Sequence, residues 1–221
     1  MSTIQADFDR IAPLSGPGWD HSSHYHAFLL RALPPYCPQA LEIGCGTGAF
    51  ARLLAGRSGR VLALDLSPRM IQLAREGSPP PNIDFQVADV LAWDFPAERF
   101  DAIATITTLH HLPLEPILSK MKGALKVGGV LVVLDLFKAA WPADLLSSAL
   151  AMPASLALKW VKNGRRRDSR AAQAAWAEHG RHDFYLTMAE VRQSCARVLP
   201  GARVKKHLLW RYSIVWKKTA T

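Results

Sequence analysis

From residue 39 onward, short apolar runs alternate with stretches that favour helix. The apolar runs predict β-strands near residues 40–44, 60–65, 83–87, 100–106, 129–135, 202–208 and 211–217. The stretches between them predict helices near residues 48–56, 67–76, 115–123 and 188–198. This alternation is typical of βαβ units, whose strands form a parallel sheet. The last two strands are joined so closely that we expect them to be antiparallel neighbours.

Three local signals predict helix ends. Thr187, with Glu190 three residues later, forms a capping box at the start of the last helix. Ser67 followed by Pro68 is a similar start, because proline suits the first helical position. The glycine pair at residues 128–129 predicts the end of one helix and the entry into the next strand.

Two segments lie outside this repeat. Residues 1–37 contain a predicted helix from residue 20 to about residue 32, which a Pro-Pro pair ends. Residues 138–186 are far longer than one crossover needs, and such connections are often lids or binding loops. Residues 141–162 are apolar and helix-favouring and then basic, so we expect a helical cap over the carboxyl edge of the sheet. The alternative is that this stretch only covers the core.

The composition is that of a globular protein. With 221 residues, of which 49% are apolar, the chain is large enough for one domain with a substantial core. Its three cysteines are scattered, which favours reduced thiols and a cytoplasmic location. The N-terminus lacks an apolar signal core, and the most apolar window, 145–158, is shorter than the ~20 residues that span a bilayer. We therefore expect neither export nor a transmembrane segment.

The net charge of +9 raises the question of nucleic-acid binding. The positive residues are spread over the chain, with one dense cluster between residues 159 and 170 that includes Arg165, Arg166 and Arg167. One interpretation of this cluster is a solvated, arginine-rich loop. The other is a docking surface for RNA, an acidic substrate or an anionic membrane.

The strongest chemical signal lies at residues 40–48, which read Ala-Leu-Glu-Ile-Gly-Cys-Gly-Thr-Gly. Glycine lets a backbone turn tightly against a ligand, and a strand that ends in such a loop before a helix is typical of nucleotide binding. Glu42 stands at the end of this strand, where it would repel a pyrophosphate and attract an ammonium or sulfonium cation. Asp65 ends the next strand, where a ribose acceptor is expected. Gly44, Gly46 and Ala49 also fit the dinucleotide pattern G-x-G-x-x-A, but Glu42 favours a cationic adenosyl ligand.

Residues 41–48 resemble the glycine-rich motif of the class I S-adenosylmethionine-dependent methyltransferases. Further segments match that family's pattern at similar spacing: residues 63–70, 87–90, 100–112 and 125–131. The resemblance covers roughly residues 38–137 and, through the last two strands, the C-terminus. It implies an α/β, Rossmann-like, seven-stranded, mostly parallel sheet with one antiparallel C-terminal strand and helices on both faces.

The expected organisation is a single methyltransferase domain. Its parts are an N-terminal helical cap (1–37), a cofactor-binding core (38–137), an insertion or lid (138–186), and the C-terminal helix with the last two strands (187–221).

The resemblance implies S-adenosylmethionine as the cofactor, bound beyond the carboxyl ends of the strands. The glycine loop would approach its methionine portion and ribose, and Glu42 would hold loop amides or the ligand's amino group. Asp65 would accept both ribose hydroxyls, and Tyr25 would reach the ligand's carboxylate. The full set of expected cofactor residues is Tyr25, Glu42, Gly44, Cys45, Gly46, Gly48, Asp65, Leu66, Met70, Asp89, Val90, Thr105 and Ile106.

The adenine is expected between Leu66 and Met70, although Met70 also fits ordinary helix core. Asp89 resembles the family's acceptor for the adenine amino group, with the backbone of the next residue beside it. A turn or capping role is the alternative for Asp89. Backbone groups at residues 105–106, which end the fourth strand, would also contact the ligand.

His110 and His111 follow the fourth strand, beside the expected position of the methyl group. Methyl transfer from a sulfonium needs mainly in-line positioning, and a base matters when the acceptor is a phenol or a protonated amine. Either histidine is therefore a candidate base, and the alternative is that both brace the strand end. We expect no metal, because the histidines at 21, 24 and 26 have no acidic or cysteine partner at ligand spacing.

These observations predict a cytoplasmic methyltransferase that acts on an oxygen or nitrogen of a small, partly apolar molecule. The alternative is an RNA or protein methyltransferase that docks through the basic segment 159–170. Residues 105–108 read Thr-Ile-Thr-Thr in place of the Asn/Asp-Pro-Pro-aromatic box of enzymes that methylate nucleic-acid bases, which argues against a nucleic-acid partner. Glu42 and Asp89 disfavour a third hypothesis, a dehydrogenase-like or non-catalytic dinucleotide module.

Overall fold

A computed structural model describes residues 3–14, 18–139, 145–164, 169–181 and 183–220. Seven strands in this part of the chain form one sheet in the order β3-β2-β1-β4-β5-β7-β6. Strand β7 runs antiparallel to its neighbours β5 and β6, and the other neighbouring pairs are parallel. The predicted seven-stranded, mostly parallel sheet is therefore confirmed. The strands are β1 Cys37–Ile43, β2 Ser58–Asp65, β3 Ile83–Val87, β4 Phe100–Ile106, β5 Leu125–Leu136, β6 Arg203–His207 and β7 Arg211–Lys217.

Helices cover both faces of this sheet, as the resemblance implied. Ile117 of α5 and Val191 of α8 are fully buried in the core of one face. Leu29 of α2, Leu54 of α3 and Ile71 of α4 are buried in the core of the other. The helices of the described residues are α1 Thr3–Ile11, α2 His26–Ala32, α3 Ala49–Ala55, α4 Pro68–Glu76, α5 Leu114–Ala124, α6 Leu145–Asn163, α7 Arg170–His179 and α8 Met188–Val198. Short 3₁₀ turns lie at Ala12–Leu14, Ser23–Tyr25 and Leu109–His111.

The glycine pair at 128–129 does not end a helix, so that prediction was wrong. Helix α5 ends at Ala124, and β5 already begins at Leu125, which pairs with Phe100 of β4. The strand register shifts beside Phe100, and Gly128 there has a φ of +83°. A Cβ at Gly129 would lie 2.9 Å from a backbone carbonyl oxygen. The two glycines therefore accommodate an irregularity inside a strand.

The N-terminal region also differs from the prediction. The helix expected from residue 20 begins later, because Asp20 Oδ1 accepts the backbone N–H groups of Ser22 and Ser23 at 2.8 and 2.6 Å. These bonds hold a turn, which leads through Ser23–Tyr25 into α2. Helix α1 was not predicted at all. The capping box of Thr187 is present at the start of α8, as predicted.

The insertion at 138–186 contains α6 and α7. Helix α6 covers most of the predicted helical stretch at 141–162, whose first residues lie outside the described part of the chain. Asn163 ties α6 to the N-terminal region, because its amide accepts from the N–H of Trp19 and donates to the carbonyl of Trp19, both at 2.8 Å. The arginines at 165–167 lie outside the described residues. None of the described helices is both long and apolar enough to cross a bilayer.

Candidate functional site

The loop after β1 carries the predicted glycines at the carboxyl edge of the sheet. Gly44, Gly46 and Gly48 have φ angles of +70°, +53° and +78°, a region that side chains rarely adopt. A Cβ at Gly44 would lie 2.0 Å from Thr108 Oγ1, so the loop after β4 packs directly on this glycine. A Cβ at Gly46 would meet no described atom within 4 Å. The loop therefore presents bare backbone towards open space at Gly46.

Asp65, at the end of β2, holds this loop through hydrogen bonds to its backbone. Its Oδ2 accepts the N–H of Gly46 at 2.7 Å and its Oδ1 accepts the N–H of Ser67 at 2.9 Å. Burial raises the pKa of Asp65, and these backbone hydrogen bonds work in the opposite direction. A carboxylate has about four acceptor positions. With a further backbone hydrogen bond from Leu66, at least one acceptor position remains for a hydroxyl donor of a ligand.

Glu42 is the least satisfied acid of the site. Its side chain is buried, and among the described residues its Oε2 has no hydrogen-bond partner. Burial, with the nearby Asp65 carboxylate as a second cause, raises the pKa of Glu42 well above its usual value. The cationic partner that the sequence analysis expects for Glu42 stays a prediction.

The remaining positions after β1 and β2 are apolar or neutral. Burial raises the pKa of the Cys45 thiol well above its usual value, so it packs as a neutral group. Leu66 is half-buried at the end of β2. Met70 lies in an apolar cluster with Ile11 and Ala175, which is the helix-core role that the sequence left open.

The ends of β3 and β4 carry the other predicted contacts. Asp89 is exposed, and its Oδ1 accepts the N–H of Leu91 at 2.9 Å, which is a turn-capping contact. Val90 beside it is buried. Thr105 is fully buried, and its Oγ1 has no hydrogen-bond partner among the described residues, while Ile106 is half-buried.

Tyr25 does not present its hydroxyl to the open side of the loop. The hydroxyl donates to the backbone carbonyl of Leu208 at 2.6 Å, and the residue is 9% exposed. A contact between Tyr25 and a ligand carboxylate would require this bond to break.

His110 is held by an acid that sequence reasoning missed. Asp135, fully buried at the end of β5, has its Oδ1 2.6 Å from His110 Nδ1, and its Oδ2 accepts the backbone N–H of His110 at 3.0 Å. The pairing places the ring proton on Nδ1 and leaves Nε2 with its lone pair. The signal was present in the sequence, because Asp135 ends an apolar strand just as Asp65 does.

His111 faces two further groups that the sequence did not connect with it. Its Nδ1 lies 3.4 Å from Asp183 Oδ1, and His179 Nε2 lies 3.5 Å from the same oxygen. Burial, followed by the neighbouring His110, lowers the pKa of His111 to about 4, so this imidazole is neutral at neutral pH. The rings of Phe8 and Tyr185 line the cluster, with centroids 5.6 Å from His111 and 5.2 Å from His110 respectively.

Several of the predicted site residues come together at one edge of the sheet, whereas Tyr25 and Met70 are engaged in other contacts. Glu42, Asp65 and the glycine loop form one half, which fits an adenosyl ligand with a cationic amino acid portion. His110 and His111 form the other half, next to the loop because Thr108 packs on Gly44.

Known methyltransferases resemble this chain in sequence and in fold. A methyltransferase domain family matches residues 40–129. An uncharacterized methyltransferase of Mycobacterium tuberculosis is 25% identical over 200 residues, which cover 90% of this chain and 96% of the relative. A 2-phytyl-1,4-naphtoquinone methyltransferase of Thermosynechococcus vestitus is 35% identical over 146 residues, which cover 61% of this chain and 65% of that protein. Among solved structures, the N-methyltransferase NodS from Bradyrhizobium japonicum, in complex with S-adenosyl-l-homocysteine, has a TM-score of 0.60 at 18% identity and covers 99% of this chain and 100% of that chain.

Proposed function

Because the chain belongs to the class I S-adenosylmethionine-dependent methyltransferases, we propose that it methylates an oxygen or nitrogen atom of a small, partly apolar molecule. The observation that carries this proposal is the buried His110–Asp135 pair beside the glycine loop, with aromatic rings around it. The 35% identical relative named for a phytyl naphthoquinone supports an apolar, aromatic class of acceptor.

The cofactor would be held by the residues of the loop and of the strand ends. Asp65 would accept the ribose hydroxyls, and Glu42 would pair with the amino group of the methionine portion. The bare backbone at Gly46 would let that portion approach closely. Bound S-adenosylmethionine supplies a methyl group already activated on a sulfonium, so positioning by the protein can supply on the order of 7–11 kcal/mol.

We propose that His110 serves at the acceptor end. Asp135 fixes its tautomer, so Nε2 is the nitrogen able to take a proton from a phenol or protonated amine. His111 would pack against it, with ring centroids 3.9 Å apart. The alternative role for both histidines, to brace the end of β4, uses the same contacts.

Helix α1 and the insertion cover the acceptor end of the site. Phe8 of α1 lies against His179 of α7 with ring centroids 4.7 Å apart, and both reach the histidine pair. An acceptor would therefore be enclosed by the N-terminal cap and the insertion, away from water.

Two measurements test the proposal. Calorimetric titration with S-adenosylhomocysteine and with NAD should give binding of the first ligand alone. Transfer of labelled methyl groups should then reach phenols, hydroquinones or small amines. Labelling of RNA or protein in place of these compounds, with a steep salt dependence, would replace the proposal with the docking alternative.

The role of His110 has its own test. His110→Gln keeps a side chain of similar shape but removes the basic nitrogen, so turnover should fall about 10²-fold or more while S-adenosylhomocysteine affinity stays the same. If only stability changes, the bracing role is correct. A cytoplasmic location is part of the proposal and is supported by Cys37, Cys45 and Cys195, which are all free thiols.

A further inference from the structure

Four metal-ligating side chains converge at the acceptor end of the site. His110 and His111 come from the 3₁₀ turn after β4, His179 from the last residue of α7, and Asp183 from the segment that follows α7. One ligand atom from each side chain lies within 4.8 Å of all the others. Residues about 70 positions apart in the sequence therefore form one cluster.

The distances within the cluster suit coordination better than hydrogen bonding. Carboxylate oxygens of Asp183 lie 3.4 Å from His111 Nδ1, 3.5 Å from His179 Nε2 and 3.9 Å from His110 Nε2. Ordinary N–H···O bonds are about 2.7–3.2 Å long. In a tetrahedral site with metal–ligand bonds of about 2.0–2.1 Å, the ligand atoms lie roughly 3.3 Å apart. The distances from Asp183 Oδ1 to His111 and His179 are close to that value, and the whole cluster, whose ligand atoms lie within 4.8 Å of one another, would contract slightly around a common ion.

The cluster is also dry and incompletely satisfied. The side chains of all four residues are at most 6% exposed. Within the described part of the chain, Asp183 Oδ1 has no hydrogen-bond partner. Buried polar atoms normally find partners, so this oxygen calls for another bonded group. The Tyr185 hydroxyl donates to Asp183 Oδ2, which leaves Oδ1 as the oxygen available to an ion.

A second layer of acids orients two of the imidazoles. Asp135 binds His110 Nδ1 at 2.6 Å, and Asp7 Oδ2 lies 3.4 Å from His179 Nδ1. Each acid therefore leaves Nε2 of its histidine directed towards Asp183. Metal-bound histidines commonly give their other ring N–H to a carboxylate in this way, which fixes the ring and strengthens it as a ligand.

We propose that His110, His111, His179 and Asp183 bind one divalent first-row transition-metal ion, with Zn²⁺ as the ion that suits them best. Three imidazoles and one carboxylate are ligands that Zn²⁺ accepts in a tetrahedral arrangement, and no soft sulfur ligand is needed. Four protein ligands close the shell. The ion therefore acts as a structural link that holds α7 and the segment after it against the loop that follows β4.

With this ion bound, His110 and His111 take the alternative role given above, which is to brace the end of β4, because the Nε2 lone pair of His110 cannot bind a metal and accept a proton at the same time. In the metal-bound form the acceptor would be deprotonated by another route or would react unaided. The sequence offered one part of this signal, the i, i+4 spacing of His179 and Asp183, but nothing that connected it with residues 110 and 111.

The experiment uses the full chain, stripped with a chelator and then given Zn²⁺ alone, without cofactor. We expect one equivalent of Zn²⁺ to remain after gel filtration, as counted by plasma mass spectrometry. At a free Zn²⁺ concentration 100-fold above Kd, Tm should rise by roughly 5–10 °C. Co²⁺ in place of Zn²⁺ should give the intense visible bands of a tetrahedral site.

Asp183→Asn and His179→Gln should each weaken Zn²⁺ binding about 100-fold or more. His24→Gln is the matched control, because His24 is an exposed histidine outside the cluster and should leave the stoichiometry and the Tm shift unchanged. The proposal is overturned if the wild-type chain retains no Zn²⁺, if its Co²⁺ form lacks tetrahedral bands, or if both cluster variants bind like the control. The first two outcomes are decisive even if a variant does not fold. S-adenosylhomocysteine binding, measured on the stripped protein, reports the proposed function separately.

Discussion

Asp65 is the residue whose removal most directly tests the placement of the cofactor. In Asp65→Ala the loop loses two acceptors, at 2.7 Å from the Gly46 nitrogen and 2.9 Å from the Ser67 nitrogen. Hydrogen bonds to charged groups contribute about 1.5–3 kcal/mol each. The desolvation of this carboxylate, which its raised pKa indicates, offsets part of that contribution. We therefore expect the free energy of unfolding to fall by about 2–4 kcal/mol in total.

The same substitution removes the proposed ribose acceptor. Loss of charge-assisted bonds worth roughly 1.5–3 kcal/mol corresponds to an S-adenosylhomocysteine Kd weakened about 10- to 150-fold. Urea denaturation gives the stability change, and calorimetric titration at a temperature where circular dichroism shows folded protein gives Kd.

Asp84→Ala is the control for Asp65→Ala. Asp84 lies near the start of β3, at the opposite edge of the sheet, in an exposed pair with Arg60 at 3.1 Å. Such pairs contribute about 0–1 kcal/mol, so neither affinity nor stability should change much. A folded Asp65→Ala protein that binds S-adenosylhomocysteine within twofold of wild type would show that the ribose lies elsewhere.

Four further substitutions separate stability from ligand binding. Glu42→Gln should stabilise the ligand-free protein at pH 7 yet weaken S-adenosylhomocysteine binding about tenfold or more. Because the pKa of Glu42 is raised, wild-type stability falls as pH rises above the usual carboxyl pKa of about 4.3, so the stability advantage of the variant in urea titrations should vanish below that pH. An advantage that persists at pH 3 would contradict this. Gly46→Ala should cost about 1–2 kcal/mol of stability but strongly reduce affinity for S-adenosylhomocysteine. Gly44→Ala should cost more than about 2 kcal/mol of stability, because its Cβ has no room. If both variants change Kd and stability equally, the ligand does not lie at Gly46. Asn163→Ala removes both hydrogen bonds to Trp19, so we expect about 1–3 kcal/mol lower stability. Turnover should fall by more than cofactor affinity does. Unchanged turnover would mean that the insertion only packs on the core.

Local patterns in the sequence were sufficient for the sheet and for the helices packed on it. The apolar runs located the strands, and the Thr187 capping box located α8 correctly. For the central strands this success has a physical reason, since strands buried on both faces must be almost continuously apolar, as β1 and β4 nearly are. The failure at residues 128–129 has one too: a glycine pair permits a helix end and a strand irregularity equally well, and only the pairing partner decides between them.

The elements that sequence reasoning missed are held by contacts between distant residues. Helix α1 lies where Phe8 meets the rings of His111 and His179, and Ile11 packs with Met70. The local sequence of α1 does not predict these contacts. The histidine and aspartate cluster was missed for the same reason, because only the fold brings His179 and Asp183 to His110 and His111, about 70 positions away.

Three buried acids at the carboxyl edge of the sheet divide the chemistry of the site. Glu42, Asp65 and Asp135 lie at or near the ends of β1, β2 and β5, and none is more than 8% exposed. Asp135 is satisfied by the imidazole and backbone of His110, and Asp65 by two backbone N–H groups, whereas Glu42 Oε2 has no hydrogen-bond partner among the described residues. A buried carboxyl oxygen without a hydrogen-bond partner destabilises the folded state, so the position of Glu42 is best explained by a ligand that supplies the missing partner. The number of hydrogen-bond partners of each acid therefore predicts how far its contribution to stability depends on the cofactor. We expect Asp135 to stabilise the protein itself and Asp65 to stabilise both the loop and the bound cofactor. Glu42 should contribute favourably only when the cationic end of the cofactor is bound.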